Sequence, residues 1–377
     1  MPIYRKEGVL PAKQNAIFRT PNENLYHKEI FGISGFSDLA SLVYHLNPPN
    51  ILKSNGAPYA VKPKIAVYDN LHTRSFQSFK TTPSDDYIDS RKMLFVNTDM
   101  SIGIAAPSKS MTDYFYKNAD ADELFFVHNG SGTLKTMYGK IPFEYGDYIF
   151  VPRGTVYQFK FDTADNHLLL VESEGPIQIP TTYHNAYGQF IEHSPFYEHN
   201  FKFPIHLKTH NEEGEFLINI KKLGLIYPYI QSKHPFDVVG WNGSIYPYAF
   251  SIFNFEPVTA NVAMQPTIHQ TFQGRNFDIC SFVPHTFGYK PNGIPSNYNH
   301  RNLYSDSLLY YVDGNIMSHN SKEKGLFSIH PGGLTHSIHP EPIERNMGNK
   351  LTKELAVMID TFNPIMITEY AINMEFT

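Results

Sequence analysis

Residues 327–340 read FSIHPGGLTHSIHP and place three histidines, His330, His336 and His339, around an adjacent pair of glycines. A neutral imidazole accepts protons near physiological pH and ligates transition metals. Histidine at this density beside a glycine turn therefore reads in one of two ways. Either a metal is held at the end of a β-hairpin, or the loop is simply rich in histidine.

The elements around this stretch are strands. Over residues 123–159, ELFFVHNGSGTLKTMYGKIPFEYGDYIFVPRGTVYQF, short aromatic and β-branched runs alternate with turns at Asn129-Gly130, Tyr138-Gly139, Tyr145-Gly146 and Arg153-Gly154. Turns every ~8–12 residues between such runs predict an antiparallel sandwich or barrel. Strand-like runs continue over 167–180 and return at 248–257, 276–284, 307–315, 325–333 and 354–364. The polar, irregular stretch 186–215 reads as a linker between an N-terminal half, 1–185, and a C-terminal half, 216–377. One short helix is expected over 35–46, GFSDLASLVYHL, with Ser37 or Asp38 as its cap and apolar residues every three to four positions.

Composition agrees with a mainly β globular chain. Of 377 residues, 41% are hydrophobic, 18% charged and 15% aromatic, so a sizeable core is available and disorder is disfavoured. A net charge of −5 gives no sign of a nucleic-acid or membrane-surface partner. Cys280 is the single cysteine; an internal disulfide is excluded, a reducing compartment is implied, and the thiol reads as a small buried side chain. With neither a signal-like N-terminus nor a run of ~20 apolar residues, the expected location is cytoplasmic.

The two halves repeat each other. GDYIFVPRGTVYQF (146–159) and GLFSIHPGGLTHSI (325–338) share a glycine, a proline six residues on and a ring-bearing residue eleven residues on, Tyr157 and His336. Upstream, ELFFVHNG (123–130) and SLLYYVDG (307–314) share a seven-residue spacing to glycine. Such repetition indicates duplication of one β unit.

These motifs resemble the two signature motifs of the cupin superfamily, small jelly-roll β-barrels whose histidines and glutamate point inward. The resemblance implies an all-β bicupin with few short helices. In the first copy Tyr157 stands at a histidine position, and Asn118 and Ala119 fall where the other histidines belong, so that half is expected to be metal-free. Further motifs in the second half, HPFDVVGWNGSIYPYAF (234–250), HQTFQGRNFDICSFVP (269–284), YNHRN (298–302) and the His-Pro-Gly-Gly stretch, resemble the homogentisate 1,2-dioxygenase family, as do MPIYRKEG and RGTVYQF.

That resemblance implies ring cleavage of homogentisate by O2 at Fe(II), in tyrosine and phenylalanine catabolism, by a homo-oligomer of three or six chains. It implies His300 and His336 as iron ligands. The carboxylate ligand is expected six residues after the HRN histidine, at Asp306, whereas counting seven back from Gly314 gives Ser307. An even offset from His300 favours Asp306 if the segment is a strand. His330 is implied as the catalytic, substrate-facing imidazole, with Tyr298 and Asn302 lining the pocket. His269 belongs to a different motif position, and His285 and His339 read as ordinary histidines. Two departures stand out: Ala263 where relatives carry a histidine, and Thr335-His336-Ser337-Ile338 where many read Pro-His-Gly-Pro. The alternative is a degenerate cupin that binds a metal or small molecule without turnover.

Overall fold

A computed structural model describes residues 3–50, 53–257, 269–286, 299–314, 323–336 and 351–376. Ala263, Tyr298 and His339 lie outside the described residues. Within them the α-helices are single turns, Tyr87–Ser90 and Glu369–Ile372, and the rest of the regular structure is strand with a few short 3-10 turns.

Two sheets have the same strand order. The first runs Phe201–Lys202, Tyr248–Ser251, Asp147–Val151, Asp122–Asn129, His167–Ser173, Met100–Ala105, Arg91–Val96, with Met366–Ile367 added at its edge. The second runs Glu375–Phe376, Arg74–Gln77, Leu326–His330, Asp306–Asp313, Leu355–Thr361, Phe277–Phe282, Gln270–Gly274. Register repeats as well. Glu123 lies opposite Val151 and Glu172, and Ser307 lies opposite His330 and Asp360. Even the irregularity between Met93 and Phe95 recurs between Gln270 and Phe272. The duplication read from glycine and proline spacing is thus present strand by strand.

Strands cross between the repeats. Tyr248–Ser251 extends the first sheet and Arg74–Gln77 extends the second. The 3-10 turns that follow them, Ile252–Asn254 and Ser78–Lys80, close on Gly146 and Gly325 through Ile252 N–H to Gly146 O (2.8 Å) and Ser78 N–H to Gly325 O (2.9 Å). Both glycines have positive φ, and a Cβ would meet the Phe253 ring at 2.4 Å or the Phe79 ring at 2.5 Å. Only glycine suits these two junctions. Residues 186–215 hold the strand Phe201–Lys202 and the start of Glu213–Lys222, which pairs in parallel with Phe115–Asn118 in a further sheet.

Side-chain alternation sorts the residues into compartments. Leu124, Phe126, Leu169 and Val171 of the first sheet share one core with Leu308, Tyr310, Ile329 and Ile359 of the second. This is the seam between the barrels. Phe125, Val127, Leu168 and Leu170 face the other way and fill the first barrel with Tyr116, Tyr157 and Phe159. Leu309, Tyr311 and Ala356 line the second.

The helix expected over 35–46 is instead the strand Ser37–His45, paired with His27–Ser34 in a hairpin that turns at Gly35. Residues 41–45 are all buried, so apolar side chains occupy both faces of the strand. That two-sided burial, rather than a helical stripe, produced the apolar spacing.

Candidate metal centre

His300 and His336 face each other in an isolated antiparallel bridge, their backbones exchanging hydrogen bonds of 3.0 and 2.9 Å. Their ring centres are 4.3 Å apart, and His330 stands 4.6 Å from His336. With metal–nitrogen bonds of ~2.1 Å, two imidazoles in adjacent coordination positions stand roughly 4–5 Å apart, so these separations suit a shared ion. His336 Nδ1 donates to the Leu334 carbonyl at 3.3 Å, which leaves the lone pair on Nε2. Burial, helped by neighbouring His300, lowers the His336 pKa, against the opposing Leu334 bond. A neutral imidazole is the ligating form. His330 Nε2 pairs with Ser328 Oγ at 3.1 Å.

Asp306 does not join these rings. Its Oδ1 accepts from Gly332 N–H at 2.6 Å and its Oδ2 from Ile365 N–H at 2.7 Å. It alternates with Ser307 and so points with Leu308 toward the seam. The even-offset argument fails because residues 301–305 are not strand; alternation cannot be counted through an irregular segment. The Gly314 count, which gave Ser307, identifies the inward-facing position.

Ser307 sits between His330 and Asp360 in one cross-strand row. Its hydroxyl donates to Asp360 Oδ1 at 2.5 Å and accepts from Asn302 Nδ2 at 2.7 Å. Asn302 therefore orients Ser307. Burial raises the Asp360 pKa and nearby Asp278 adds to the rise; the Ser307 bond and His300 oppose it. Asp360 escaped the sequence reading, though HLLLVES (167–173) and LAVMIDT (355–361) align Glu172 with it. His269 is buried, stacks on Phe282 at 4.5 Å and lies 5.4 Å from His285; burial, with His285, brings its pKa down to about 4.

The donor types suit a divalent transition metal: His300, His336 and His330 are imidazoles, and the carboxylate of Asp360 lies in the His330 row beyond Ser307. Among the described residues, no group of three or more His, Cys, Asp or Glu side chains is placed to hold a metal ion.

The equivalent centre of the first barrel holds an internal cation. Arg91 Nη2 donates to Glu123 Oε1 and to Glu172 Oε1, each at 2.5 Å, with all three side chains buried. Tyr157 OH donates to Glu123 Oε2 at 2.8 Å, and the guanidinium lies 5.0 Å from the Tyr116 ring centre. Burial alone would raise Glu172, but Lys221 and Arg91 hold its carboxyl below its ordinary value. Register corrects one expectation. The partner of Tyr157 is Tyr116, just as His300 is the partner of His336, so Tyr116 rather than Asn118 or Ala119 occupies the histidine position. Asn118 instead donates to Glu172 at 3.0 Å.

A duplicated all-β barrel with a histidine-lined second centre defines a two-barrel cupin. The family model described as homogentisate 1,2-dioxygenase N-terminal matches residues 86–252. A Saccharolobus solfataricus protein named "Putative dioxygenase" is 34% identical over 376 residues, covering 98% of this chain and 96% of that protein. Homogentisate 1,2-dioxygenase of Legionella pneumophila (strain Lens) is 24% identical, with 97% and 91% covered. The enzyme of that name from Bradyrhizobium diazoefficiens is also 24% identical, with 74% of this chain and 64% of that enzyme covered. The chain belongs to the homogentisate 1,2-dioxygenase family of cupins and is a dioxygenase-like oxidoreductase. Among the described residues no helix is long and apolar enough to cross a membrane.

Proposed function

We propose that the chain is an Fe(II)-dependent dioxygenase that opens the ring of homogentisate or a related hydroquinone. The observation that carries this reading is the His300–His336 bridge, with ring centres 4.3 Å apart and His336 Nε2 left as the lone-pair nitrogen. Those two imidazoles would hold the iron. Bound there, Fe(II) would supply Lewis-acid and redox chemistry toward a phenolate and O2. His330, on the same side of the sheet, receives the proton of the substrate hydroxyl, and Ser328 fixes its ring through Nε2. Asn302 acts on the site through Ser307 rather than by touching substrate. Tyr298, outside the described residues, keeps its place in the proposal only through the family resemblance.

The proposal extends to the chain as a whole: two cupin units, 1–185 and 216–377 in sequence order around 186–215, the first without metal because Arg91 fills its centre; a cytoplasmic enzyme; and a trimer or hexamer, which light scattering tests. Oxygen uptake by Fe(II)-loaded protein decides the activity. Uptake with homogentisate and a product heavier by two oxygen atoms is expected. Stoichiometric iron binding with no uptake from homogentisate or related hydroquinones overturns it. That outcome favours the second reading, a binding cupin without turnover, for which Ser307 at the inward carboxylate position is the supporting observation.

A further inference from the structure

We propose that the cleft where the two repeats meet, between Glu174 and Arg275, is a binding site for a small zwitterion, a free α-amino acid with a short or polar side chain. The site is separate from the histidine-lined centre and does not rest on the metal-dependent reading above.

The cleft lies where the duplication brings equivalent turns together. Met100 lies opposite Ser173 in the first sheet, and Phe277 lies opposite Thr361 in the second. One residue further out, Asp99 and Asn276 are therefore equivalent, as are Glu174 and Phe362. Their backbones close in the same way, through Glu174 N–H to Asp99 O (2.9 Å) and Phe362 N–H to Asn276 O (2.8 Å). The two turns meet face to face: Asn276 Nδ2 donates to Asp99 Oδ2 at 3.2 Å, and Asn363 Nδ2 donates to the same oxygen. The cleft at this junction has a volume of about 310 Å³. That is the small end of the ~300–1,000 Å³ typical of small-molecule sites.

The backbone symmetry is not matched by the charge. Thr98, Asp99 and Glu174 of the first repeat form an acidic wall, whereas Arg275, Asn276 and Asn363 of the second form a wall whose one charge is positive. Asp99 is buried, and its carboxylate already holds the two asparagine amides. It therefore sets the floor and turns both asparagine Oδ1 atoms away from itself. Glu174 and Arg275 are exposed on opposite walls. Arg275 Nε stands 4.0 Å from Asp99 Oδ1, beyond hydrogen-bond reach. Among the described residues neither the Arg275 guanidinium nor the Glu174 carboxylate makes a hydrogen bond. A guanidinium takes a carboxylate through two parallel N–H groups, and a carboxylate with amide oxygens nearby accepts from an ammonium. A ligand with both charges a few atoms apart satisfies both walls at once. A simple anion would meet the acids of the first wall, and a simple cation would meet Arg275. No large apolar side chain lines the cleft, so nothing there favours a long hydrocarbon side chain on the ligand.

Isothermal titration of the full chain with L-serine and with L-glutamine tests the site, with thermal melts to check folding. Saturable binding of at least one of the two, at one site per chain, is expected. Acetate and methylammonium each carry half of the charge pair and are expected to bind at least ~10-fold more weakly, the scale of one lost charge-assisted contact. Arg275→Gln and Glu174→Gln alter exposed side chains, so the melting temperature should hold. Each is expected to weaken amino-acid binding by ~10-fold or more on the same scale. The assignment is overturned if neither amino acid binds saturably, if acetate or methylammonium alone binds as tightly, or if either folded variant keeps wild-type affinity.

Discussion

At the centre of the first barrel Tyr116, Tyr157, Glu123 and Glu172 surround Arg91; at the matching positions the second barrel has His300, His336, Ser307 and Asp360. The first centre is closed. Its cation is covalently part of the chain, every carboxylate is neutralised, and Tyr116, Tyr157 and Glu123 are at most 1% exposed. At the second, His300 is exposed and His336 half-buried. One duplicated scaffold has thus been taken in two directions. An internal salt cluster makes the first a structural core. The second sets imidazoles beside two neighbouring acids, Asp360 and Asp278, with no internal cation described between them.

This contrast can be broken most directly at Arg91. Arg91→Met leaves Glu123 and Glu172 buried beside an apolar side chain, with only Lys221 to compensate. A loss of ~3–5 kcal/mol is expected, as for buried pairs that lose one partner. Urea unfolding measures it, and a loss below ~1 kcal/mol would mean that the first centre is not held by its charge cluster.

Acid should act next, at the seam. His128 Nδ1 contacts Tyr310 OH at 2.6 Å across the two repeats, and His167 Nε2 contacts Ser78 Oγ at 2.9 Å. Burial lowers both histidines, His128 to about 4 and His167, also beside His128, to about 3. Both values lie below the ordinary 6.5, so the unfolded chain takes up protons first as pH falls. Stability is then whole above pH ~6.5 and is lost toward acid at up to about 1.4 kcal/mol per pH unit for each histidine. A loss of roughly 2–3 kcal/mol by pH 5.5 is expected in urea titrations. Replacing both histidines with glutamine should flatten that slope.

Tyr157→Phe removes the hydroxyl that donates to Glu123 and meets Tyr87 OH at 2.9 Å. It should cost ~1–2 kcal/mol while metal content stays unchanged. The matching change in the second barrel, His336→Gln, should move the melting temperature least of all, because the ring is only half-buried, yet abolish oxygen uptake and iron retention. Reversed results for this pair would undo the division between a structural and a functional barrel.

Much of this was legible in advance where local chemistry decides it. The shared Gly–Pro–ring spacing marked equivalent hairpins, and these correspond in register down to Val151 and His330. What escaped depends on cross-strand pairing. Tyr116 and Asp360 are placed by their partners on other strands, and no spacing along the chain reveals a partner. Asp306 was favoured by counting alternation through a segment that is not strand. The strand at 37–45 was read as a helix because burial on both faces blurs the two-residue period.

The exchange of strands has a consequence for how this chain can be divided. Residues 86–252, the stretch the family model matches, contain seven of the first sheet's eight strands, while the second sheet draws Arg74–Gln77 from before that stretch. A cut after residue 185 would strip Tyr248–Ser251 from Asp147–Val151 and bare a hydrogen-bonding edge on each product. The two repeats are clasped hand in hand. Neither is an autonomous module that recombination could pass to another gene, and each sheet waits during synthesis for a late strand, Met366–Ile367 for the first and Glu375–Phe376 for the second.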